Sequence, residues 1–180
     1  MYKEVPHERV HRLFYPVIPV IITAEHSGTI GAMMASSCIP MSLNPSMVGV
    51  AIMTTHTTHR LVKESGQFAV CWLSYDKLDK AVYVGETSGV GVQDKLKAAG
   101  LSHKPGRRLS VPIPDEAVAW LECKVVWSRV SGDHELFAAD VVAAYAHEDF
   151  GEYWRFESYT PIFYVGKARP GASRYVPFRL

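Results

Sequence analysis

Cysteine is scarce in this chain, and its three copies stand apart. Cys38, Cys71 and Cys123 are odd in number and show no Cys-x-x-Cys spacing. That argues against a disulfide framework and against a structural zinc site. An excess of charge of one sign is also missing: 19 Lys and Arg offset 18 Asp and Glu, for a formal charge of +1. Bulk electrostatics therefore points to neither a nucleic acid nor a membrane surface as partner. No apolar run approaches the roughly 20 residues of a membrane helix. The opening segment, MYKEVPHERVHRLFYPVIPV, carries charges before and within its apolar part, unlike a signal peptide. A reduced, cytoplasmic compartment is the expectation. Internal repeats, low-complexity tracts and an alternating strand–helix rhythm are absent as well.

What is present suits a folded domain with a sizeable core. The 180 residues are 48% apolar and 21% charged, and are expected to form one domain over 1–180. Four Trp, nine Tyr and seven Phe fit a β-rich core or a subunit interface. Met1 to Phe14 reads as a short helix or an arm. The β-branched run from Tyr15 to Thr23 holds two prolines, so it is an edge strand or one that starts after Pro19. Ala32 to Ile39 and Met47 to Met53 read as two further strands joined by Pro40 to Pro45. Thr57 or Thr58 is placed to cap a helix through about Ser65, with Gly66 as its stop.

Further on, Phe68 to Leu73 reads as a buried strand, and Ser74 as the cap of a second helix. Thr87 to Gly91 is a loop. Asp94 to Gly100 is a short helix, and His103 to Leu109 a basic loop. Ala117 to Val130 and His134 to His147 form a long hairpin around Ser131-Gly132-Asp133. Ile162 to Gly166 is a last short strand, before a tail with Arg174, Tyr175 and Arg179. Six or seven strands with a few short helices imply a mostly β, antiparallel, barrel-like architecture.

The chemistry concentrates between Gly31 and Ser65. Small residues at Ala35, Ser36, Ser37 and Cys38 would let a flat ligand lie against backbone. The polar knot Thr54-Thr55-His56-Thr57-Thr58-His59-Arg60 opens a helix. It offers N–H groups, hydroxyls and a guanidinium to an anion. A flat head and an anionic tail describe a flavin mononucleotide. Each feature also has a plainer reading. These are a close-packed strand, an ordinary threonine cap, a surface loop at Ser88-Gly89, a solvated Lys95, and a turn histidine at His134. His56-x-x-His59 lacks a third metal ligand, so no metal is expected.

Several segments, in order, resemble the flavin reductase-like family, whose fold is the FMN-binding split barrel. Pro19 to Thr23 is similar to its opening strand. Gly31 to Cys38, followed by Asn44-Pro45, resembles the segment along the flavin ring. Thr58 to Ser65 resembles its T-x-x-[LI]-[IV]-x-x-[ST] helix. Ser88-Gly89 with Asp94-Lys95, then Glu122-Cys123 and Gly132-Asp133-His134, complete the match. Many relatives have Asn at or near Ala32, and the segment from Tyr164 to Tyr175 is longer than the family's usual tail.

The resemblance implies an NAD(P)H-dependent flavin reductase-type oxidoreductase with FMN, FAD or an exchangeable flavin. Ala35, Ser36, Ser37 and Cys38 would line the ring. Thr55, Thr58, His59 and Arg60 would hold the phosphate end, with Ser88, Gly89 and Lys95 closing over it. His134 is a candidate to seat the nicotinamide. No catalytic side chain is needed, because the flavin itself accepts the hydride. A homodimer is implied, with flavin sites near its interface. The acceptor would be a flavin, a ferric chelate or a partner monooxygenase. A flavin carrier without a nicotinamide site, and a split-barrel module for another ligand such as haem, are the alternatives. The missing G-x-G-x-x-G fingerprint decides nothing, because the family does not use one.

Overall fold

The computed structural model describes residues 4–166 and 174–178. A 3-10 helix over His7–Phe14 leads into β1 (Val20–His26), β2 (Thr29–Ala35), β3 (Cys38–Leu43) and β4 (Ser46–Met53). Helix α1 (Thr57–Ser65), β5 (Gln67–Trp72), α2 (Leu78–Glu86) and α3 (Lys95–Ala98) follow. Next come the short strands β6 (His103–Pro105) and β7 (Pro112–Pro114), then the long hairpin of β8 (Ala119–Ser131) and β9 (His134–Ala146). β10 (Ile162–Tyr164) and β11 (Tyr175–Pro177) close the order. The expected mostly-β architecture with short helices is what the chain forms.

Seven strands make one sheet in the order β2-β1-β5-β8-β9-β4-β3, antiparallel at every pairing. Its two outer members, β2 and β3, are consecutive in the chain and separated only by Ser36 and Ser37. Laid flat, these strands would stand roughly 29 Å apart at ordinary strand spacing. The three Cα steps from Ala35 to Cys38 reach at most about 11 Å. The sheet must therefore roll until its edges meet. Ser37 lies at this crossing, the seam, and extends the β3–β4 ladder: its hydroxyl donates to the Ala51 carbonyl at 2.6 Å, and its carbonyl accepts the Ala51 N–H at 3.3 Å.

Rolling gives the central strands two buried faces. Ile22, Val70, Phe68, Val50, Ile52 and Phe137 fill the barrel interior with Leu61 and Val62 of α1. Ile21, Ala69 and Cys71 face the other way, against Ala81 and Val84 of α2, Leu96 of α3, and Ile113 of β7. This period-two split explains why β5 reads as an unbroken apolar run.

Several sequence expectations change. The stretch from Ala32 to Ile39 is not one strand, because the seam interrupts it at Ser36. Pro40 lies within β3 rather than in a connection. It is tolerated there because β3 is an edge and its register slips between Pro40 and Ser42. The first strand does begin after Pro19, but it lies inside the sheet, not at an edge. The N-cap of α1 is His56, and no side chain caps the helix; Thr57 and Thr58 are already helical. Ser74 likewise caps nothing with its side chain, and its hydroxyl donates to the Thr160 carbonyl at 3.3 Å. Gly66 does end α1, with φ of 68°. The pairing of β11 with β10 went unseen in the sequence. Of the tail, Arg179 and the stretch 167–173 lie outside the described residues.

β2 and α1 touch at Gly31. A Cβ there would sit 2.6 Å from Leu61 Cδ1, 3.2 Å from Thr58 Oγ1 and 3.4 Å from Thr58 Cα. Gly31→Ala should therefore lower stability by about 1–3 kcal/mol through overpacking, read as an earlier midpoint in denaturant unfolding. An unchanged midpoint would show that α1 has room to retreat.

Candidate functional site

The start of α1, the end of α2, the loop after it and α3 enclose a cleft of about 390 Å³. Gly31, Met33 and Met34 of β2 contribute to its walls, and Glu86, Ser88 and Gly89 stand on the α2 side. Thr55, His56, Thr57 and Thr58 come from the α1 end, and Lys95 from α3. Gly89 sits tight here, since a Cβ on it would lie 3.2 Å from Thr57 Cβ and 3.6 Å from Lys95 Cδ.

Lys95 is the unusual member. It is only 6% exposed, and its ammonium has no ion pair or hydrogen bond among the described residues. Burial alone pushes its pKa below the ordinary lysine value. Its neighbour Asp94 does not neutralise it. That carboxylate is taken by His103 at 2.8 Å, the Lys97 N–H at 3.0 Å and Lys97 Nζ at 3.7 Å. Glu86 in the cleft wall is taken by Arg174 at 2.9 Å.

Other buried polar groups, with the exception of Glu116 Oε2 and the Tyr159 hydroxyl, are matched. Thr23 donates to the Pro112 carbonyl. Glu122 accepts three backbone N–H groups from Arg107, Arg108 and Leu109, each at 2.8 Å. His59 meets Glu135 at 2.6 Å. Lys95 and Thr58 have no such partner among the described residues, and both face this cleft. An unmatched buried cation is expensive unless an anion joins it. The uncapped first turn of α1 adds free N–H groups and the positive end of the helix dipole. His56 is pushed below its usual pKa, first by burial and then by the charges of Lys95, His134 and His59. The cleft can hold a phosphate-sized anion.

Of the residues expected from sequence, the cleft gathers Thr55, Thr58, Ser88, Gly89 and Lys95. His59 shares the α1 turn, but its Nε2 is turned to Glu135. Arg60 is exposed, pairs with Glu64 at 2.9 Å, and lines a neighbouring hollow with Thr57 and Gly89. Ala35, Ser36, Ser37 and Cys38 lie at the barrel seam, outside the cleft walls. Cys38 is a protonated thiol whose pKa burial pushes up to about 12. His134 contacts its neighbour Asp133 at 2.6 Å. His56, Thr57, Gly31 and Glu86 join the cleft without having been singled out as site residues. The first two sat in the threonine knot, but nothing local to Glu86 could have found it. No metal-holding group of His, Cys, Asp or Glu occurs among the described residues.

Beneath the α1 start, Glu135 is only 3% exposed. It accepts from Ser128 Oγ at 2.7 Å and Lys63 Nζ at 3.1 Å besides meeting His59. The Ser128 hydrogen bond, with help from His59 and Lys63, brings its pKa from 4.5 down to about 2. Folding thus favours the ionised carboxylate. Its contribution is complete above pH 4.5 and is lost as pH falls toward 2. Glu135→Gln should cost about 3 kcal/mol near neutrality, with the gap to wild type closing on acidification in urea melts. A gap independent of pH would refute an ionised Glu135. By contrast, Lys95→Met should leave the unliganded stability unchanged or slightly higher. It should abolish the rise in melting temperature that inorganic phosphate gives the wild type, seen in thermal scans.

Comparison with known proteins follows the same outline. Residues 11–167 match the model of the flavin reductase like domain. An uncharacterized protein of Aeropyrum pernix is 39% identical over 91% of this chain, which spans 63% of that protein's length. A ferric-chelate reductase (NAD(P)H) of Archaeoglobus fulgidus is 28% identical, over 72% of this chain and 75% of its own. The solved structure of flavoredoxin from Methanosarcina acetivorans superposes with a TM-score of 0.84 at 22% identity, covering 99% of this chain and 92% of its own. A mostly β chain with an FMN-binding split-barrel fold, matched to the family model over nearly its whole length, belongs to the flavin reductase-like family.

Proposed function

We propose that this protein binds FMN in the cleft and acts as an NAD(P)H-dependent flavin reductase-type oxidoreductase. The observation that carries the proposal is Lys95, a buried cation without a partner, facing the free N–H groups of α1. Lys95, the α1 backbone and the hydroxyls of Thr55, Thr57, Thr58 and Ser88 would hold the phosphate. Ala35, Ser36, Ser37 and Cys38 would border the ring, with backbone groups at the seam as donors. His59 is a backbone donor and Arg60 an outer charge in this reading. His134 would seat the nicotinamide.

When bound, the flavin supplies the redox chemistry, accepting a hydride from NAD(P)H and passing electrons to a flavin, a ferric chelate or a partner monooxygenase. The chain's own residues bind and orient it. Lys95 and the α1 start fix the anionic end, and donors near the ring favour its reduced, anionic form. A homodimer belongs to the same reading. Ile39, Met41 and Leu43 of β3 and Val126, Trp127 and Val130 of β8 are exposed apolar residues that a second copy would cover.

The test is the visible spectrum of protein reconstituted with FMN, followed by anaerobic NADH or NADPH. Bleaching by either nucleotide is expected. Lys95→Ala and Thr58→Ala should each weaken FMN binding by about 1–3 kcal/mol. A yellow protein that neither nucleotide bleaches would be a carrier. A preparation that takes up no FMN at millimolar supply ends the proposal.

A further inference from the structure

A second hollow lies between the start of β8, the end of β9 and the segment that follows it. Its volume is about 150 Å³, with walls that include Val118, His147, Phe150, Trp154, Arg155 and Tyr159. The rings pack on one another along its wall. The Trp154 centroid is 4.4 Å from that of Tyr159 and 5.0 Å from that of Phe150, with planes tilted by 41° and 70°. An apolar cavity of about this size is known to accept one benzene ring.

Two polar features distinguish this hollow from a packing defect. Tyr159 is 4% exposed, yet its hydroxyl has no hydrogen-bond partner among the described residues. Burial pushes its pKa up to about 12, so it keeps its proton and remains a donor that a ligand in the hollow could engage. Arg155 lines the hollow, and its guanidinium has no ion pair among the described residues. The acidic group at the rim, Asp149, is engaged by His147 at 3.1 Å. Arg155 is thus the cationic side chain of the lining that a ligand could engage, with Asp149 turned to His147.

We propose that this hollow is a binding site for a single-ring aromatic carboxylate. The ring would lie in the hollow against Phe150, Trp154 and Tyr159. The carboxylate would accept from the Tyr159 hydroxyl and pair with Arg155. The hollow lies at the opposite end of β9 from His134, whose neighbour Asp133 accepts the Thr54 N–H beside the flavin cleft. The two sites are therefore separate.

The test is calorimetric titration of the full chain with benzoate, with and without saturating FMN, and with benzylamine and toluene as controls. One benzoate per chain is expected in both states, bound more tightly than either control. Tyr159→Phe, which keeps the ring, should weaken benzoate about 3- to 10-fold by loss of one hydrogen bond. Arg155→Gln should weaken it at least about 10-fold. Absence of saturable binding would overturn the proposal. So would tighter binding of benzylamine, equal affinity in both variants, or displacement of benzoate by FMN. Should FMN fail to bind while benzoate does, the flavin reading falls and this one stands.

Discussion

Two serines join opposite edges of a seven-stranded sheet, and the rest of the molecule follows from how short that join is. Because Ser36 and Ser37 cannot span a flat sheet, the sheet rolls, and β4 comes round toward β1 and β2. Helix α1 can then leave β4 and pack directly on β1 and β2, with Leu61 and Val62 inside the barrel. Had the edges stayed apart, the first turn of α1 could not lie on Gly31. At the crossing itself Ser37 is held to β4, exchanging two hydrogen bonds with Ala51 that continue the β3–β4 ladder.

The cleft is where this economy of pairing stops. Elsewhere the chain buries charge only with company. Glu122 has three backbone donors from one loop, and also the Trp120 indole N–H at 3.3 Å. Glu135 has Ser128, Lys63 and His59. Lys95 has none, and it lies beside a helix start whose own donors are uncapped. Two unfavourable features that a single anion would relieve are placed together. That coincidence, more than the identity of any one residue, supports the proposal that an anion binds in the cleft.

Much of the fold was legible in the sequence, for identifiable reasons. The β8–β9 hairpin announced itself through Gly132-Asp133, and the end of α1 through Gly66, because turns with positive φ are local facts. The break at Ser36 was not legible, since small polar residues continue a strand as easily as they end one. The capping expectation for Thr57 and Thr58 failed because burial against Gly31 drew Thr58 into the helix. The threonine knot, Ser88-Gly89 and Lys95 were read as parts of one site from family order. What no local pattern carried was that Lys95 would be unpartnered, because its neutrality depends on where Asp94, Glu86 and Arg174 end up. Arg60 shows the converse: a residue well spaced for phosphate in one dimension finds Glu64 one turn along and points elsewhere.

Glu135 connects these observations. It follows His134 at the start of β9, so it moves with the hairpin turn, yet its carboxylate grips His59 and Lys63 on successive turns of α1. The helix start is thereby fixed to the sheet at a buried, ionised pair rather than by apolar packing alone. Such a pair adds little net stability but is sensitive to geometry, since a displaced helix would leave a bare charge inside the protein. The free N–H groups of the first turn are therefore held toward the cleft whether or not a ligand is present. The site is rigid on its α1 side, and the loop from Thr87 to Gly91, with few buried residues, is the side with freedom to adjust.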